Sequence, residues 1–134
     1  MSGLAGVLAG HHEPGVYRWH AAFAADEVAR AVEHAGWRFA YVDGWHHQTR
    51  HELLAAVGEA LGFADHYGQN LDALNDCLRD LPAATVLLWD GWGTLARSDE
   101  AAFSAVRAIL SDHTAVLTTL LRGDGPDVDV PSLD

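Results

Sequence analysis

The sequence contains no lysine. All eight of its bases are arginines, set against nineteen acids, for a formal net charge of −11. A surface so poor in positive charge repels nucleic acid and anionic membranes and attracts basic proteins, so neither of the first two is an expected partner. Cys77 is the single cysteine. No disulfide can then close within the chain, which suits a reducing compartment, and a cytoplasmic location is expected. No apolar run approaches the roughly 18 residues of a membrane span. The opening MSGLAGVLAG lacks a basic start and a long apolar stretch, so no secretory signal is expected. Neither a Gly-x-Ser-x-Gly elbow nor a Walker loop occurs, and GWG (91–93) without a lysine is too slight to imply a phosphate site. What the chain does have is apolar residues, 49% of 134, enough for one domain with a proper core and too many for a disordered chain or a coiled coil.

Residues 1–15 are glycine-rich and read as a loosely held arm, and VYRW (16–19) as a short extended piece. From Asp26, a plausible N-cap, Val28, Ala31, Val32 and Ala35 share one face up to Gly36, which predicts a helix over about 26–35. RFAYV (38–42) is a strand closed by Asp43-Gly44. A helix from His51 follows, with Leu53, Leu54, Val57 and Leu61 at helical spacing and Gly62 as its stop. Asn70 caps the next helix, whose buried stripe is Leu71, Leu74, Leu78 and Leu81 and whose end is set by Pro82. ATVLLW (84–89) is a continuous apolar run, as in a strand covered on both faces. A helix around 99–111 and a last strand, TAVLTTLL (114–121), complete the pattern.

The order β, α, α, β, α, β from residue 38 implies an α/β fold. Helical crossovers favour a small three-stranded parallel sheet flanked by helices, with the N-terminal helix and short strand added at one side. Residues 1–36 are thus an extension, 37–122 the main domain, and 123–134 (GDGPDVDVPSLD) an acidic, disordered tail.

On the helix after Asn70, Asp72, Asn75, Asp76 and Arg79 lie nearly opposite the leucine stripe. Like charges four residues apart repel by about 0.2–0.5 kcal/mol. A merely solvated face is the plain explanation, and the helix dipole accounts for Asp72, a first-turn acid. Asp76 lies beyond that effect, and no base is expected to pair with it.

FADHYGQNLDALNDCLRDL (63–81) resembles the signature of the barstar family, small intracellular inhibitors of barnase-type ribonucleases. The match centres on Tyr67, Gly68, Asn70, Leu71, Asp72, Ala73, Leu74, Asp76 and Cys77, and extends over roughly 38–122. The resemblance implies a protein inhibitor, not an enzyme, that blocks a basic ribonuclease and is a monomer when free. No cofactor or metal is implied. Its partner-binding residues would be His66, Tyr67, Gly68, Asn70, Asp72, Asn75, Asp76 and Asp80. Asp76 would enter the catalytic centre as a phosphate mimic, with Asp72 beside it facing basic groups at the rim. Tyr67, Gly68 and Asn70 would shape the loop. The sequence departs from the best-studied member at four positions. His66 replaces a tyrosine, Asn75 replaces a tryptophan, Arg79 adds a cation, and Ala108 stands where an acid contributes to binding. An immunity protein or antitoxin against another basic toxin, or a non-inhibitory binding module, is the alternative.

Other constellations are weaker. His46, His47 and His51 form HHxxxH, but without a third or fourth ligand nearby they read as loop and helix-start residues, as do His11 and His12 in the arm. Cys77 flanks the leucine stripe and reads as a packed thiol, not a nucleophile. DGPDVD (124–129) lacks the flanking helices and terminal Glu of a calcium loop. His66, Asp72 and Asp76 have acid–base chemistry, but a convex helical face is a poor place to exclude water. Trp89 is expected in the core, and Trp92 at the surface.

Overall fold

The computed structural model describes residues 2–63, 70–113 and 116–133. Ten elements follow one another: α1 (Ser2–Leu8), β1 (Val16–Arg18), α2 (Ala25–His34), β2 (Arg38–Asp43), α3 (Arg50–Leu61), α4 (Leu71–Arg79), β3 (Thr85–Asp90), α5 (Gly93–Ser98), α6 (Glu100–Asp112) and β4 (Leu117–Arg122). The strands form one parallel sheet in the order β1-β4-β3-β2. The expected α/β fold with a parallel, helix-flanked sheet is present. The sheet has four strands, not three, because VYR pairs with Thr119–Leu121 along the outer edge of β4.

Local chemistry explains the element ends. The Thr49 hydroxyl accepts from Glu52 N while the Glu52 carboxylate accepts from Thr49 N, a reciprocal cap that starts α3 just ahead of its apolar stripe. Gly62, at φ +73°, closes α3 in the left-handed conformation that a Cβ disfavours. α2 begins one residue before Asp26, and the backbone N–H of Ala24 is held by the Glu27 carboxylate at 3.1 Å. At its other end, Gly36 N reaches Glu33 O and Trp37 N reaches Val32 O, as the glycine stop predicts.

Because strand side chains alternate, the sheet carries two cores. On one face Ala40, Val42, Leu87, Trp89, Leu117 and Leu121 pack under α3, α4, α5 and α6. On the other, Val86, Leu88 and Leu120 meet Leu4 and Val7 of α1, Trp19, and Val28 and Val32 of α2. β3 is buried at all six positions, as its unbroken apolar run requires.

Three expectations are corrected here. The arm is not loose: Leu4 and Val7, three apart, are buried, and their burial outweighs the low helix propensity of its glycines. The tail is not solvated: Arg18 N donates to Pro131 O, Leu133 N donates to Arg18 O, and Val130 and Leu133 are buried. It closes the outer edge of β1, because a strand edge needs backbone partners and the tail carries apolar groups to bury there. Gly3 makes the crossing of α1 over that tail possible, since a Cβ there would lie 2.2 Å from Leu133 O. Finally, Trp92 is fully buried, packed on Phe103 with its indole N–H bonded to Gly123 O, because α5 turns it inward.

Candidate functional site

Asn70 starts α4: its side-chain oxygen accepts from Ala73 N at 2.8 Å. Leu74 and Leu78 bury the inner side, while Asp72, Asp76, Arg79 and Asp80 are exposed on the outer one. The helix therefore presents a convex acidic face of Asp72, Asp76 and Asp80. His66, Tyr67 and Gly68 lie outside the described residues.

Two details differ from the sequence reading. Asp76 has a neighbour after all: Arg79 Nη1 stands 3.7 Å from its Oδ1, one helical turn on. Both side chains are about two-thirds exposed (70% and 66%), so the pair is a weak one, worth about 0–1 kcal/mol, and leaves Asp76 available. Asn75 is half-buried and accepts a 2.8 Å hydrogen bond from His113 Nε2, at the end of α6. It thus fastens the acidic helix to the layer behind it. Ala108 is exposed on α6 and supplies no acid.

Cys77 is half-buried beside this face. Burial, and then the charges of Asp80 and Asp76, push its thiol pKa up, which disfavours the thiolate that a nucleophile needs. Among the described residues, no group of three or more His, Cys, Asp or Glu side chains is placed to hold a metal ion. His46 instead pairs with Asp43. Burial alone would raise the Asp43 carboxyl, but His46 and the Trp45 N–H hold it below its ordinary value.

A second constellation, missed in the sequence reading, occupies the C-terminal ends of the strands. Asp90, Arg122 and Tyr41 all leave the strands on the α2 side. The Tyr41 hydroxyl donates to Asp90 Oδ2 at 3.0 Å, and the Arg122 guanidinium donates to both Asp90 oxygens at 2.6 and 2.8 Å. Arg122 Nη1 also donates to the carbonyls of Ala21 and Phe23, with the guanidinium over the Trp19 ring. Burial, then the charge of Asp90, raises the Tyr41 pKa to about 12. Every strong group here is satisfied from within, which makes the cluster a clamp and not a reactive centre. The signal was legible as two copies of Asp-Gly-Trp, at 43–45 and 90–92. Those turns pack on each other so closely that a Cβ on Gly44 would lie 2.6 Å from Gly91 O.

Among solved structures, the chain is similar to the Aeropyrum pernix ORC2 protein, with a TM-score of 0.65 and 15% identity over 91% of this chain and 38% of that one. It is similar also to Drosophila ORC bound to DNA, with a TM-score of 0.63 and 16% identity over 90% of this chain and 36% of that one. CDC6P from Pyrobaculum aerophilum matches with a TM-score of 0.52 and 14% identity, over 90% and 37%. The chain spans under two-fifths of the length of these three structures, and at such identities the likeness shows a shared parallel α/β fold alone. No curated protein matches in sequence. The family model for Barstar (barnase inhibitor) matches residues 37–124, from the residue before β2 to just past β4 and with the whole of α4 inside it. The chain belongs to the barstar family.

Proposed function

We propose that this protein inhibits a basic ribonuclease of the barnase type, blocking its active site with the acidic face of α4 and the segment that precedes it. The observation that carries this reading is the pair Asp72 and Asp76, exposed on α4 within the stretch that matches the family. A ribonuclease active site gathers cations to hold phosphate. Carboxylates fixed one turn apart on a helix present those cations with negative charge, without chemistry that could be cleaved. Asp76 is the residue proposed to enter the catalytic centre, where it would exchange its weak contact with Arg79 for the enzyme's cations. Asp72 and Asp80 flank it, Asn70 holds the helix start, and Asn75 keeps the face in place through His113.

On this reading the protein is not an enzyme and needs no cofactor. It acts as a monomer in the cytoplasm and protects the cell before the ribonuclease is exported. Arg79, set on the same face, favours a target with an acidic group at the matching place on its rim. That feature supports the second reading, an immunity protein for a different basic toxin that uses the same surface.

The test is titration of the purified protein into barnase-type ribonucleases, including those of its own source, while RNA cleavage is followed. Stoichiometric loss of cleavage is expected. Full activity across the panel overturns the ribonuclease reading, and protection against a non-ribonuclease toxin would then establish the second.

A further inference from the structure

The two outer edges of the sheet are treated differently. β1 is covered by the tail through backbone bonds to Pro131 and Leu133. β2 pairs only with β3, and its other edge carries no strand among the described residues. Arg38 N donates to Ala84 O and Gly44 N to Asp90 O, so the even-numbered residues of β2 bond inward. The backbone groups of Phe39 and Tyr41 therefore point out of the sheet. β2 has no proline or irregularity within it to block a further strand, and its only charged residues, Arg38 and Asp43, stand at its two ends.

The surroundings of this edge are equally unusual. Tyr41 and Trp45 are the two exposed large apolar side chains among the described residues, 36% and 52% accessible, and both lie on or just beyond β2. Beside them is a pocket of about 390 Å³ lined by Tyr41, Val42, Asp43, His47, Ala56, Glu59 and Ala60. Val42 and the two small α3 residues supply apolar lining, and two acids, Glu59 and Asp43, complete it, the Asp43 carboxylate also holding His46 and the Trp45 N–H. Glu59 has no ion-pair partner among the described residues.

The geometry points to β2 as a docking edge for an extended, basic segment of a partner protein. Such a segment would add a fifth strand through Phe39 and Tyr41. A lysine or arginine stem would lie along Val42, Ala56 and Ala60, with its cation at Asp43 and Glu59 and its apolar neighbours on Tyr41 and Trp45. A second copy of this chain is disfavoured as the occupant, because it brings the same acids and another −11 of charge to the contact. This surface is distinct from the face of α4. The Asn75–His113 bond ties α4 to the end of α6, whereas Trp45 follows the C-terminal end of β2, and no residue of α4 lines the pocket beside it.

The probe is a capped octapeptide of alternating valine and lysine, titrated into the isotope-labelled full chain at low ionic strength and followed by amide shifts and hydrogen exchange. Expected are shifts at Phe39, Tyr41, Asp43 and Ala56, and slowed exchange at Phe39 and Tyr41. Glu59→Arg, a change at an exposed position, weakens binding at least tenfold, whereas Glu33→Ala on α2 leaves it unchanged. An alternating valine–glutamate peptide does not bind. The proposal is overturned if the shifts gather on α4, if none occur, or if Glu59→Arg binds as well as the wild type. It is overturned equally if sedimentation shows the chain pairing with itself through β2. None of these results touches ribonuclease inhibition, which is read from RNA cleavage.

Discussion

The Arg122 guanidinium and the Asp90 carboxylate meet as two parallel hydrogen bonds, Nε to Oδ1 at 2.6 Å and Nη2 to Oδ2 at 2.8 Å, with both side chains largely withdrawn from water. Paired, the two charges satisfy each other. Asp90→Ala leaves the cation of Arg122 partly buried without its anion, and is expected to destabilise the fold by about 3–5 kcal/mol. Urea unfolding measures it. A loss under about 1 kcal/mol would mean that solvent reaches the clamp freely.

Tyr41 donates to the same carboxylate, and its pKa is raised from 10.0 to about 12. The sign follows from proton binding. Between these two values the unfolded chain has released the phenol proton and the native one keeps it, so stability falls as pH rises through that window. Below about pH 10 the contribution is fully present. Tyr41→Phe should remove this part of the alkaline decline, seen as a shallower loss of stability between about pH 10 and 12. An unchanged slope would show that burial and Asp90 together do not hold the phenol proton.

Asn75 and His113 join the acidic helix to the end of α6 through one 2.8 Å hydrogen bond. Each substitution to alanine is expected to cost about 1 kcal/mol, with a coupling of about 0.5–1.5 kcal/mol in a double-mutant cycle. Zero coupling would free Asn75 for a role at the surface alone.

The N-terminal residues cover one face of the sheet, so a chain shortened to begin at Trp37 uncovers Val86, Leu88 and Leu120. Loss of cooperative unfolding is expected by calorimetry. Trp19→Ala in the full chain should cost about 3–5 kcal/mol. A cooperative transition in the shortened chain, at the full chain's midpoint, would make residues 1–36 an ornament.

Much of this was legible in the sequence. Periodicity found α2, α3, α4 and α6, and residues that fix backbone geometry or cap it, Gly36, Gly62 and Asn70, placed their ends. The apolar run at 84–89 correctly read as a strand covered on both sides. What covers the second side was not legible, because Leu4, Val7 and Trp19 carry no strong local pattern and gain their meaning only from the face they meet. The tail misled for the same reason: its acids advertise solvent, while Val130 and Leu133 decide its position. At the site, the exposed acids of α4 were readable from the wheel. The Asn75–His113 bond was not, since long-range pairing leaves no trace in spacing; the contact of Arg79 with Asp76, three residues apart on one helix, was within reach of the spacing and was passed over.

The central claim is that Asp76 meets cations supplied by another protein. The dissociation constants of the wild type, Asp76→Ala and Glu33→Ala, measured against an inhibited ribonuclease, test it most directly. Asp76→Ala should weaken binding at least about 100-fold, as expected when one member of a desolvated charge pair is removed, while Glu33→Ala on the far face of the sheet stays within about threefold. Equal and small effects from the two substitutions would contradict the account and place the inhibitory surface elsewhere than on α4.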